Sequence, residues 1–157
     1  MTERYGPDRV QRIAVFLDMV VAENDLQNLI APSTIETIWV RHALDSAQLM
    51  FHVEQSAESW LDIGTGGGFP GMVVALLFDG KVTMVEPRKK RAAFLQACVD
   101  HLGIANADVM ASKVEAVSGR SAMRQTRHAL DPASRSDRAG AAYRAPPPAR
   151  SSVSRGT

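Results

Sequence analysis

A run of glycines with a carboxylate set behind it constrains this chain more than any other feature. Gly64-Thr65-Gly66-Gly67-Gly68 follows a short strand candidate, Trp60-Leu61-Asp62-Ile63, and leads through Phe69-Pro70-Gly71 into the apolar residues 72–78. Glycines between a strand and a helix permit positive φ and let backbone N–H groups approach a ligand closely. The helix N-terminus behind them carries partial positive charge. Glu86 ends the next strand candidate, about 20 residues on, where a carboxylate can accept ribose hydroxyls. A bare glycine run also suits an ordinary turn. The strand–loop–helix setting and Glu86 favour a site for a nucleotide-like ligand.

The flanking pattern supports that setting. Residues 81–86 form a second strand candidate rich in Val and Thr. Residues 88–102 form a helix with Leu95, Cys98, Val99 and Leu102 on one face, and Gly103 stops it. Residues 107–111 form a weaker third strand. The order β-α-β-α-β over residues 59–111 predicts an α/β fold with a parallel sheet. Upstream, residues 8–22 read as an amphipathic helix and residues 24–32 as a connection. A second helix starts at Ser33, where Ser33 and Glu36 have capping-box spacing. Ile35, Ile38, Trp39, His42 and Leu49 recur at helical spacing, and Arg41 can pair with Asp45.

Composition narrows the class. At 157 residues the expectation is one domain. No apolar run approaches the roughly 20 residues of a membrane span, and the polar start argues against a secretory signal. Cys98 is the single cysteine, so neither an intramolecular disulfide nor a cysteine-rich zinc site is available. These features fit the cytoplasm. Residues 1–117 hold 10 Lys and Arg against 15 Asp and Glu, whereas residues 118–157 hold 8 Arg, no Lys and 2 Asp. That Arg-, Ser-, Ala- and Pro-rich tail has too little apolar surface to offset its ordering entropy and is expected to be disordered. An RNA-binding arm is the alternative for it.

The loop admits two cofactor readings. Counted from Gly64, the dinucleotide fingerprint G-x-G-x-x-G fails at Phe69. Counted from Gly66, it is satisfied through Gly71, so a nicotinamide-dependent oxidoreductase stays open. Residues 62–68 also resemble the acid-x-Gly-x-Gly-x-Gly motif of S-adenosylmethionine-dependent methyltransferases. There, Asp62 would attract the amino group or sulfonium of the cofactor.

Three segments in order sharpen this: residues 39–46 (WVRHALDS), 61–71 (LDIGTGGGFPG) and 85–95 (VEPRKKRAAFL). Together they closely resemble the ribosomal RNA small subunit methyltransferase G family, also called glucose-inhibited division protein B, over roughly residues 8–119. The resemblance implies S-adenosyl-L-methionine as cofactor and N7 of a guanine in small-subunit (16S) ribosomal RNA as methyl acceptor. The implied partner is that RNA or the small ribosomal subunit. No membrane, no metal and a monomeric state are expected. It also implies cofactor contacts at Gly64 and Phe69, with Val114 and Glu115 bordering the adenine; Gly66 and Glu86 join them as cofactor-binding candidates from the loop pattern itself. Ser112 and Glu115 equally suit a capping box. Arg41 and His42 match the family's Arg-His pair near the substrate mouth, although His42 also suits the core face of its helix. The basic run Arg88, Lys89, Lys90 and Arg91 is either a solvated face or a contact for RNA phosphates. Guanine N7 carries a lone pair, so no catalytic base is expected.

The implied organisation is an N-terminal helical segment (1–57), the front half of a partial Rossmann-like methyltransferase domain (58–119) and the disordered tail (120–157). Family members continue with further strands, helices and a cofactor-binding arginine. Residues 121–128 hold no strand pattern, and Arg124 and Arg127 are not credible substitutes. The expectation is a chain truncated or frameshifted after about residue 119, since the later bias is what a GC-rich gene read out of frame would give. Such a chain would leave a strand edge uncovered and tend to aggregate. The alternative function is a catalytically inactive fragment retaining at most weak cofactor or RNA binding.

Overall fold

The computed structural model describes residues 1–113, so the expectations for Val114, Glu115 and residues 120–157 lie outside the described residues. Strands β1 (Ser59–Ile63), β2 (Lys81–Val85) and β3 (Ala107–Met110) form a parallel sheet in the order β1-β2-β3. Ser59 pairs with Lys81 and Ile63 with Val85, while Val82 pairs with Ala107. Val82, Thr83, Met84 and Val85 of central β2 are all buried, as a parallel strand covered on both faces requires. Among the described residues β1 pairs on one side only, and Ile63 at its end is 39% exposed.

Short helix α1 (Thr2–Tyr5) precedes α2 (Pro7–Gln27), which covers one face of the αβ unit. Pro7 opens α2 in the first turn, where a missing N–H costs nothing. The helix runs past the expected end at residue 22. It stops where Asn28 adopts a left-handed conformation (φ 49°) and the Asn24 side chain accepts the Ile30 N–H at 2.8 Å. Ile13, Phe16, Leu17 and Val20 are buried in one core with Met72, Met84 and Leu95. A fully buried side chain such as Phe16 contributes about 1.5–3 kcal/mol. Two arginines one turn apart on α2 satisfy carbonyls left open at other helix ends. Arg9 Nη1 donates to Leu77 O at 2.7 Å, and Arg12 Nη2 donates to Leu102 O at 2.6 Å. These residues terminate α4 (Gly71–Leu77) and α5 (Lys89–Leu102), the two crossovers of the sheet.

The second helix expected from Ser33 is broken. A 3₁₀ turn (Pro32–Thr34), a π-helical turn (Trp39–Leu44), α3 (Asp45–Gln48) and another 3₁₀ turn (Leu49–Phe51) take its place. No side chain caps the first turn; Thr34 Oγ1 instead donates to Ala31 O at 2.8 Å. The widened π turn buries Ala43 and turns His42 inward, leaving Trp39, Val40 and Leu44 exposed. Arg41 and Asp45 are exposed and form no ion pair among the described residues. Exposed pairs gain too little to fix two side chains in one geometry.

Candidate cofactor site

The loop after β1 uses its glycines in two ways. Gly64, Gly66 and Gly68 all have positive φ, at 75°, 59° and 97°. A Cβ on Gly68 would come within 2.8 Å of Leu95 Cδ2 and Phe16 Cζ, and one on Gly71 would come 2.6 Å from Asp62 Oδ2. Those two glycines, with Gly67 against Leu29, let the loop pack onto the core. In front of Gly64 there is open space within 4 Å. In front of Gly66 the first atoms met are Arg91 Nη1 and Gly64 O, both at 3.8 Å. Gly64 and Gly66 therefore present the accessible face of the loop.

Glu86, just past β2, is buried at 3% exposure yet bonds at both carboxylate oxygens. Oε2 accepts the Gly66 N–H at 2.9 Å and Oε1 accepts the Arg88 N–H at 2.8 Å. The carboxylate thus joins the glycine loop to the start of α5. A carboxylate has about four lone-pair sites, so it retains acceptor capacity for ligand hydroxyls.

Asp62, expected to attract a cationic ligand group, has a structural bond of its own. It is buried, and its Oδ2 accepts the Gly71 N–H at 2.9 Å, at the first turn of α4. Burial raises its pKa above the ordinary 3.8. The Thr65 hydroxyl and the Gly71 N–H oppose the rise, and nearby Glu86 adds to it. Asp62 therefore ties strand to helix beneath the loop.

Phe69 links the loop to the N-terminal segment. Its ring centroid lies 5.3 Å from that of Phe16 and 4.8 Å from that of His42. The His42 Nε2 lies 2.9 Å from Thr34 Oγ1. Burial lowers the His42 pKa below 6.5; Asp45 opposes this and Arg41 reinforces it. Gly64, Gly66 and Glu86 thus come together, whereas Phe69, farther along the loop, packs on Phe16 and His42, and Arg41 is exposed on the turn that carries His42. Arg88, Lys89 and Lys90, just after Glu86, are exposed. Arg91 stands apart from that run, because its Nη2 donates to Asn28 O at 3.0 Å. In the sequence Arg91 is one of four consecutive cations, and Asn28 and Leu29 carry no signal of a contact with the loop or with Arg91. Thr34 alone had a local signal, a hydroxyl in a turn opened by Pro32.

Among the described residues, no helix is long and apolar enough to cross a membrane, and no group of three or more His, Cys, Asp or Glu could hold a metal ion.

The family model for rRNA small subunit methyltransferase G (GidB) matches residues 9–133, extending past the change of pattern near residue 119. The ribosomal RNA small subunit methyltransferase G of Novosphingobium aromaticivorans is 44% identical over 109 residues, covering 68% of this chain and 47% of that protein. The Sphingopyxis alaskensis protein of the same name is 40% identical over 138 residues, covering 86% of this chain and 59% of its own. That of Rhizorhabdus wittichii is 50% identical over 90 residues, with 56% and 42% covered. The chain spans about half the length of the curated relatives it matches.

Proposed function

Because the chain belongs to the rRNA small subunit methyltransferase G family, we propose that it binds S-adenosylmethionine on the glycine loop and serves methylation of guanine N7 in small-subunit ribosomal RNA. The carrying observation is the cradle formed by Gly64, Gly66 and Glu86. It has an open face at two positive-φ glycines, backed by a buried carboxylate that holds the loop in place. That arrangement suits a ribose with an amino-acid extension. A Cβ at Gly64 or Gly66 would enter the same space.

When bound, S-adenosylmethionine supplies a methyl group activated by a sulfonium. The chain's residues have to bind and orient. Glu86 accepts hydroxyls with the lone pairs left by Gly66 and Arg88. Phe69 packs against His42 and Phe16, fixing the loop relative to the segment that carries Arg41. Arg41, free of any ion pair among the described residues, is suited to an RNA phosphate or to a splayed base. Guanine N7 offers a lone pair directly, so orientation alone can supply much of the rate enhancement. A cytoplasmic setting follows from the substrate, the small ribosomal subunit. Residues 58–119 would act as the cofactor half, and residues 1–57 as the helical segment that carries Arg41.

The test is incorporation of labelled methyl groups into small ribosomal subunits that lack the modification. Incorporation at one guanine supports the proposal. Cofactor binding without incorporation would favour the non-catalytic fragment.

A further inference from the structure

Among the described residues, Arg91 is the side chain that comes nearest to the open face of the glycine loop at Gly66. Its Nη1 is the nearest atom to the Gly66 Cβ direction, sharing 3.8 Å with the Gly64 carbonyl oxygen. Its Nη2 is held by Asn28 O at 3.0 Å, at the left-handed residue that ends α2. No carboxylate pairs with this guanidinium among the described residues, where the ion pairs are Arg9–Asp79 and Lys81–Asp108. The side chain is half-buried rather than waving in solvent. It is therefore a pre-oriented cation with an open donor aimed across the ligand-facing glycines. Glu86, the loop's own anion, has bonds from Gly66 and Arg88 and none from Arg91.

We infer that Arg91 is a ligand-binding residue of this site, presenting Nη1 to the carboxylate at the amino-acid end of the cofactor. The inference rests on the S-adenosylmethionine reading above. A guanidinium anchored through one nitrogen loses little further rotamer freedom when the other binds, and charge-assisted bonds of this kind are the strong ones. Arg91 would also connect the ligand to Asn28, so that filling the site tightens the end of α2 onto the loop.

The experiment titrates two probes into the full chain and into its Arg91→Met and Arg91→Lys variants. S-adenosylhomocysteine carries the amino-acid carboxylate, and 5′-methylthioadenosine lacks it. Loss of a bond to a charged group predicts that Arg91→Met weakens S-adenosylhomocysteine about tenfold or more while leaving methylthioadenosine within about twofold. Arg91→Lys should restore part of the difference. Retained methylthioadenosine binding also reports that the variant is folded. Equal weakening of both probes would make Arg91 a clamp for the loop and overturn the inference. Unchanged binding of both would overturn it too. Failure of the unaltered chain to bind either probe would sink the cofactor reading itself, a distinguishable result.

Discussion

Glu86 accepts the backbone N–H of Gly66 at 2.9 Å across 20 residues of sequence. The end of β2 thereby fixes the conformation of the loop after β1, so the carboxylate has a conformational role besides the ligand-binding one proposed for it. Glu86→Gln replaces one acceptor oxygen with an NH2 that opposes the N–H of Gly66 or Arg88. The expected result is a loss of about tenfold or more in S-adenosylhomocysteine affinity, the scale of one bond to a charged group. Calorimetric titration reads it, and unchanged affinity would remove Glu86 from the site.

The two classes of glycine predict opposite phenotypes. Gly68→Ala puts a methyl within 2.9 Å of Leu95, Phe16 and Met72 at a positive φ. Overpacking alone costs about 1–3 kcal/mol, so the variant should melt well below the parent chain. Gly64→Ala meets nothing within 4 Å and bears only the left-handed penalty of about 1–2 kcal/mol. Its larger effect should be on ligand affinity. Thermal melts beside titrations separate the two, and a Gly64→Ala chain binding as tightly as the parent would contradict the assignment of the open face.

Protonation of His42 should loosen the contact between the loop and the N-terminal segment. Its pKa in the folded chain is depressed below 6.5, chiefly by burial. The stability it contributes is therefore full above pH 6.5 and is lost as pH falls through the folded value. His42→Phe keeps a ring against Phe69 but cannot titrate. Denaturant melts between pH 7.5 and 5 should show a shallower loss of stability for the variant. Identical slopes would mean that other groups carry the acid sensitivity.

The β-α-β-α-β order was legible because each crossover couples a short apolar strand to a helix closed by Gly103 or capped near Gly71. The proximity of Gly64, Gly66 and Glu86 was legible because the loop lies in one stretch and Glu86 follows at strand spacing. Residues 33–51 were not legible. Their helical periodicity is overridden by the packing of His42 on Phe69 and the burial of Ala43, which demand a π turn. The bond that Asp62 accepts from the Gly71 N–H was not legible either, because its position in the motif does not say which backbone group the carboxylate meets. Arg91 was hidden in a run of four cations, and only its contact with Asn28, from a distant helix end, singles it out.

The central claim is that the open face of Gly64 and Gly66, backed by Glu86, is a site for S-adenosylmethionine. The most direct measurement is a calorimetric titration of the full chain with S-adenosylhomocysteine, with NADH as the competing dinucleotide. The account predicts saturable one-to-one binding of S-adenosylhomocysteine and no heat from NADH beyond dilution. Binding of NADH instead, or no binding of S-adenosylhomocysteine to a sample with a cooperative melt, would contradict it.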